Sequence, residues 1–148
     1  MTVKIKNGYY LVAGILAILF AYTHAWNGHA AVLPKLDIEA VSLDTQIVFT
    51  YVWHIITAEN LIFGIVFIMM SFQSTPAKVR FTAWMIVSIL LIRLTVILGV
   101  TTVLDASALT STLVDSIAIV IYIVLIILGI RMKNRPFGGT PPQSAAGL

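Results

Sequence analysis

The stretch that decides the fold is residues 107–130, which read SALTSTLVDSIAIVIYIVLIILGI. This run contains one charged residue, Asp115, and it lacks the alternation of polar and apolar residues that a membrane β-strand needs. A helix crosses the core of a bilayer with about 20 consecutive apolar residues. The stretch is therefore predicted to be a transmembrane helix.

Three further apolar runs of similar length precede it. Hydrophobic residues make up 59% of the 148 residues and charged residues only 10%, whereas a soluble domain has about 25% charged residues. A soluble globular protein is thereby excluded, and the short connections favour an antiparallel up-down arrangement. The sequence predicts an all-α fold, an integral membrane bundle of four antiparallel transmembrane helices. The predicted helices comprise residues 8–29, 46–72, 76–104 and 107–130, with Pro34 ending any extension of the first.

The charges between the helices predict the orientation. Seven of the nine basic residues flank one side of the bundle, and four of the six acidic residues lie in the connections on the other side. Basic residues concentrate on the cytoplasmic side of membrane proteins. Both termini are therefore predicted to be cytoplasmic, in a multi-pass protein of the plasma or inner membrane. The seven basic residues are Lys4, Lys6, Lys78, Arg80, Arg131, Lys133 and Arg135.

The chain is predicted to consist of a folded domain and a flexible tail. Residues 1–133 form the transmembrane domain, whereas residues 134–148 are rich in proline, glycine, serine and alanine and are predicted to be a flexible cytoplasmic tail. The chain has no cysteine, which excludes disulfides, thiolate metal sites and cysteine nucleophiles.

One acid and one base stand near the middle of the membrane. Counting about 1.5 Å per helical residue places Glu59 and Arg93 at matching depths on consecutive helices. Ionisable residues at this depth are costly and usually face the protein interior. An ion pair is predicted, with Asn60 satisfying the remaining donors or acceptors. The pair either fixes the register of the two helices or contributes to a functional site.

A second polar layer is predicted nearer the outer surface, where His24, His54 and Asp115 lie at comparable depth. A histidine here is suited to acid–base chemistry, to metal ligation or to axial ligation of a haem. It is equally suited to a hydrogen bond that joins two helices. The candidate catalytic residues are His54, Asp115 and Glu59; the candidate ligand-binding residues are Arg93, Thr57, Asn60 and Tyr122; the candidate metal ligands are His24 and His54.

Three functions are compatible with these residues. The first is acid–base handling or binding of a lipophilic small molecule that reaches the site from the bilayer. The second is a subunit of a membrane redox complex that holds haem b or a transition metal with His24 and His54. The third is a non-catalytic subunit of a larger membrane complex or a homo-oligomer. No phosphate loop, dinucleotide fingerprint or nucleophile elbow is present, and no nucleic-acid partner is predicted because the basic residues follow the topology.

Overall fold

A computed structural model describes residues 4–38 and 41–132; the predicted tail, residues 134–148, lies outside the described residues. The described chain consists of helices and turns and contains no strand. Four of its helical segments are long and apolar enough to cross a membrane, as predicted. The helices are α1 (Gly8–Asn27), α2 (Leu33–Ile38), α3 (Leu43–Ser71), α4 (Pro76–Leu104) and α5 (Leu109–Arg131), with a π-helical turn at Gly28–Val32 and a 3-10 turn at Ala106–Ala108.

The predicted end of the first helix is wrong. Helix α1 continues through the π-helical turn into α2, so that the first membrane span runs from Gly8 to Leu36 and passes Pro34. In the π turn the Leu33 N–H donates to the Gly28 carbonyl, five residues earlier. Pro34 therefore stands in the first turn of a new hydrogen-bond register, where its missing N–H removes no helical bond.

Helices α1 and α3 form the closest pair in the bundle. Gly14 and Gly64 face each other so closely that a Cβ atom on Gly14 would lie 2.9 Å from the Gly64 carbonyl oxygen. Small residues permit such close approach of helix backbones in membranes. The start of α1 lies beside the end of α3, because the Lys6 and Asn7 N–H groups both donate to the Ser71 carbonyl at 2.8 and 3.1 Å. The two helices thus run in opposite directions.

Asn7 joins three helices at this end of the molecule. Its Oδ1 caps α1 by accepting from the Tyr10 N–H, and its Nδ2 donates to the Gly129 carbonyl of α5 at 2.9 Å. The side chain is 8% exposed. The beginning of the first span and the end of the last therefore lie at the same end of the bundle.

The buried apolar core fills only the half of the bundle that holds these two ends. We call this half the packed half, residues 8–21, 63–71, 76–90 and 119–131, and we call residues 22–38, 41–62 and 91–118 the open half. Every buried hydrophobic side chain of the described residues belongs to the packed half. Over its whole length, α4 contacts α3 at few positions and packs chiefly against α5. The core consists of Tyr10, Ala13, Ala17, Ala21, Phe63, Phe67, Met70, Ala83, Ile86, Val87, Leu90, Tyr122, Ile123, Ile126 and Ile130.

Candidate functional site

The predicted mid-membrane ion pair is present. The Arg93 guanidinium on α4 donates through Nη2 to the Glu59 carboxylate on α3 and through Nη1 to Asn60 Oδ1 at 3.0 Å. The two α3 residues are adjacent in sequence, so that one guanidinium fork binds both. Glu59 lies about 18 Å from the Ser71 end of α3 at 1.5 Å per residue, close to the middle of the span.

The pair crosses a gap between helices and is not sealed inside the core. The side chain of Arg93 is 17% exposed and that of Glu59 is 30% exposed. Helices α3 and α4 have little other contact, and the pair lies at the border where the packed half ends. Both charged side chains are therefore partly exposed at the surface of the bundle.

His24 of α1 lies against α3 in the open half. Its imidazole stacks on the indole of Trp53, with ring centroids 4.3 Å apart and planes inclined by 7°. The Trp53 Nε1–H donates to the His24 carbonyl at 2.9 Å. The shared outer layer of His24, His54 and Asp115 stays a prediction.

Three buried polar atoms near this region lack a hydrogen-bond partner among the described residues: His24 Nε2, Ser116 Oγ and Tyr122 Oη. Tyr122 lies at the border of the packed half, where its ring meets Phe20 edge-on with centroids 5.7 Å apart. Ser116 is on the same helix, nearer the open half. Buried polar groups in proteins almost always have a partner, so each of these atoms calls for one. A fourth such atom, Tyr10 Oη, belongs to the packed half.

The remaining predicted site residues lie at the edge of this region. Asp115 is exposed on α5. The Thr57 hydroxyl donates to the Trp53 carbonyl at 3.3 Å, a bond within its own helix. His54 is exposed, and the ring nearest to it is that of His29, with centroids 5.2 Å apart.

The structure therefore pairs the histidines differently from the proposed metal ligands. His24 lies flat on Trp53, whereas His54 lies beside His29. No three histidine, aspartate or glutamate side chains of residues 4–38 and 41–132 converge in a way that would hold a metal ion. The roles of His24 and His54 as haem or metal ligands remain predictions.

The π-helical turn at Gly28–Val32 is the feature that the sequence did not reveal. A Cβ atom on Gly28 would overlap the indole of Trp53, so only glycine leaves room for the ring that contacts His24. A π turn holds one more residue than an α turn and rotates the residues that follow it, and such turns are frequent at functional sites. Proline six residues after Gly28 is the one local signal of a disturbed helix.

The arrangement comprises a partly exposed charged pair, a histidine and two buried hydroxyls, in a bundle whose apolar core fills the packed half. We call His24, Glu59, Asn60, Arg93, Ser116 and Tyr122 the polar cluster. The cluster offers hydrogen-bond donors, acceptors and a cation to a molecule that enters the open half. Comparison of the chain with protein-family models, with curated proteins and with solved structures finds no match.

Proposed function

We propose that this multi-pass membrane protein binds a lipophilic small molecule whose polar group enters the open half of the bundle and meets the polar cluster. The orientation predicted from the basic residues, with both termini in the cytoplasm, places the open half toward the outer leaflet. The apolar part of the ligand remains in contact with the exposed apolar side chains of α3 and α4.

The observation that carries this proposal is the set of buried polar atoms without partners. Leaving a buried polar group unpaired costs about 1–3 kcal/mol. His24 Nε2, Ser116 Oγ and Tyr122 Oη are buried and lack a partner among the described residues, and the Arg93–Glu59 pair is still partly exposed. A bound molecule with carbonyl, hydroxyl or acidic groups supplies the missing partners.

The charged pair supports acid–base handling of such a molecule. Arg93 keeps its positive charge and suits an anionic or carbonyl oxygen. Glu59 has a second carboxylate oxygen available to exchange a proton with a ligand, while Asn60 holds the guanidinium from the other side. Catalytic roles for Glu59, His54 and Asp115 are part of this proposal.

Access from the bilayer follows from the gap between α3 and α4. Its rims carry apolar residues that are more than half exposed, such as Ile62 at 57% and Ile92 at 65%. Because lipid acyl chains cover these side chains in a membrane, a lipophilic molecule reaches the pair without crossing water.

The test is identification of a bound molecule in protein extracted with its surrounding lipid. Full-length protein is purified into polymer-bounded lipid discs, and its small-molecule content is measured by mass spectrometry against empty discs from the same membranes. We expect one lipophilic species enriched at about one per chain. The double variant Arg93→Leu/Glu59→Gln and the variant His24→Phe should each lose it.

Thr95→Val is the matched control. Thr95 lies two residues from Arg93, is exposed, and bonds only within its helix, to the Leu91 carbonyl at 2.9 Å. This variant should retain the bound species. Equal content in wild type and in both cluster variants, or no species above the lipid background, would refute the proposal.

A further inference from the structure

His29 and His54 form a histidine pair in the open half, and neither belongs to the polar cluster as defined above. His29 lies in the π-helical turn of the first span, and His54 lies about three turns from the start of α3. Their ring centroids are 5.2 Å apart and the ring planes are inclined by 42°. Both side chains are exposed.

This separation suits two imidazoles that share one metal ion. A Zn–N bond is about 2.0–2.1 Å long, and a ring nitrogen lies about 1.2 Å from the ring centre, which places each centroid about 3.2 Å from the metal. At the tetrahedral angle the two centroids are then about 5.2 Å apart. The observed distance of 5.2 Å equals this value; ring pairs without a metal also have centroids about 4.5–7 Å apart, so metal titration is the decisive measurement.

The surroundings leave room for the ion and its other ligands. His29 lines a cavity of about 260 Å³ between the first span and α3, and His54 lines an open groove along α3. Gln46 and Thr50 line both spaces. The Gln46 side chain is fixed by its Nε2, which donates to the Val41 carbonyl at 3.0 Å.

We propose that His29 and His54 bind one divalent transition-metal ion of the zinc or copper class. Imidazole nitrogen is a preferred ligand of these ions, whereas Mg²⁺ and Ca²⁺ require oxygen ligands. Two protein ligands leave the other coordination positions to water or to an added molecule. Neither histidine belongs to the polar cluster as defined above, so that the metal site shares only His54 with the residues of the proposed function.

The geometry of the π-helical turn explains why this pair exists. The turn places Gly28 beneath Trp53 and the next residue, His29, beside the residue that follows Trp53. The two contacts therefore occur side by side.

The test is metal binding to the full-length protein, purified in detergent with a tag that contains no histidine and stripped with a chelator. Zn²⁺ is titrated by calorimetry, and Cu²⁺ is examined by electron paramagnetic resonance for nitrogen coupling. We expect one ion per chain and coupling to two imidazole nitrogens. His29→Ala and His54→Ala should each raise the dissociation constant about tenfold or more.

His24→Phe is the control. It removes the one histidine of the chain that is not a proposed metal ligand, and it keeps an aromatic ring against Trp53. It should bind the ion as the wild type does. Melting temperatures without metal should be similar in the wild type, His29→Ala and His54→Ala, while Zn²⁺ should stabilise only the proteins that retain both His29 and His54. Unchanged affinity in either alanine variant, or absence of binding to the wild type, would overturn the proposal whether or not the polar cluster holds a ligand.

Discussion

Replacing Arg93 by leucine should destabilise the protein more than replacing Arg93 and Glu59 together. Arg93 binds both Glu59 and Asn60, so its loss leaves a carboxylate and an amide oxygen without their donor. Removing one partner of a buried ion pair costs about 3–5 kcal/mol. Because Arg93 is 17% exposed and Glu59 is 30% exposed, the lower end of this range, about 3 kcal/mol, is expected.

The double variant Arg93→Leu/Glu59→Gln should recover most of this loss. Glutamine carries no charge, so its burial needs only ordinary hydrogen bonds, and the leucine adds apolar contact. A cost of about 1 kcal/mol is expected, which corresponds to a coupling of at least about 2 kcal/mol once Glu59→Gln is measured as well. This value separates a true pair from two residues that act independently.

The assay is reversible unfolding in mixed micelles with increasing sodium dodecyl sulfate, followed by circular dichroism. Ser88→Ala on the same helix serves as control, since Ser88 is exposed and bonds only to the Trp84 carbonyl at 3.0 Å. Its effect should stay within about 0.5 kcal/mol. Equal free energies of unfolding for Arg93→Leu and the double variant would show that the two side chains do not interact in the membrane.

Three other predictions address the helix contact, a connection and the topology. Gly14→Ala should destabilise by about 1–3 kcal/mol through overlap with the Gly64 backbone, whereas Gly99→Ala, which meets nothing within 4 Å, should be neutral or stabilising in the same unfolding assay. The Ser107 hydroxyl and N–H bind the Asp105 carboxylate and hold its pKa below the ordinary value; this stabilisation is present above about pH 4 and is lost as the pH falls. The melting-temperature advantage of the wild type over Asp105→Asn should therefore shrink from pH 7 to pH 3, and a constant difference would contradict it. A tag after residue 148 should be reachable only in opened cells, and labelling of intact cells would refute the cytoplasmic assignment.

The helices were predictable because their signals are local. Apolar runs of sufficient length specify the four spans. The helix predicted at residues 76–104 has those bounds in the structure, because Pro76 stands in its first turn and Asp105 follows its last residue. The pair of Glu59 and Arg93 was predictable from depth alone. Two opposite charges at one depth on consecutive helices lower the free-energy cost of their burial in the bilayer by pairing with each other.

The histidine contacts were not predictable from depth. Depth places His24, His29 and His54 in the outer part of the bundle but does not say which faces meet, and the π-helical turn changes the rotation of everything after Gly28. The buried hydroxyls of Ser116 and Tyr122 depend on how far α4 and α5 diverge from α1 and α3, which no local pattern encodes. His54, predicted to lie at the depth of His24 and Asp115, has its ring beside that of His29.

The division of the bundle into two halves explains how it tolerates unpaired polar groups. The packed half holds the buried apolar side chains, the close contact of Gly14 with Gly64, and Asn7 bonded to the ends of α1 and α5. His24 Nε2 and Ser116 Oγ, in the open half, lack a hydrogen-bond partner among the described residues, as does Tyr122 Oη at the border of the packed half. The buried apolar contacts of the packed half offset the free energy that such unpaired groups cost. Under the proposed binding function, a ligand that pairs with these atoms removes that cost and stabilises the fold.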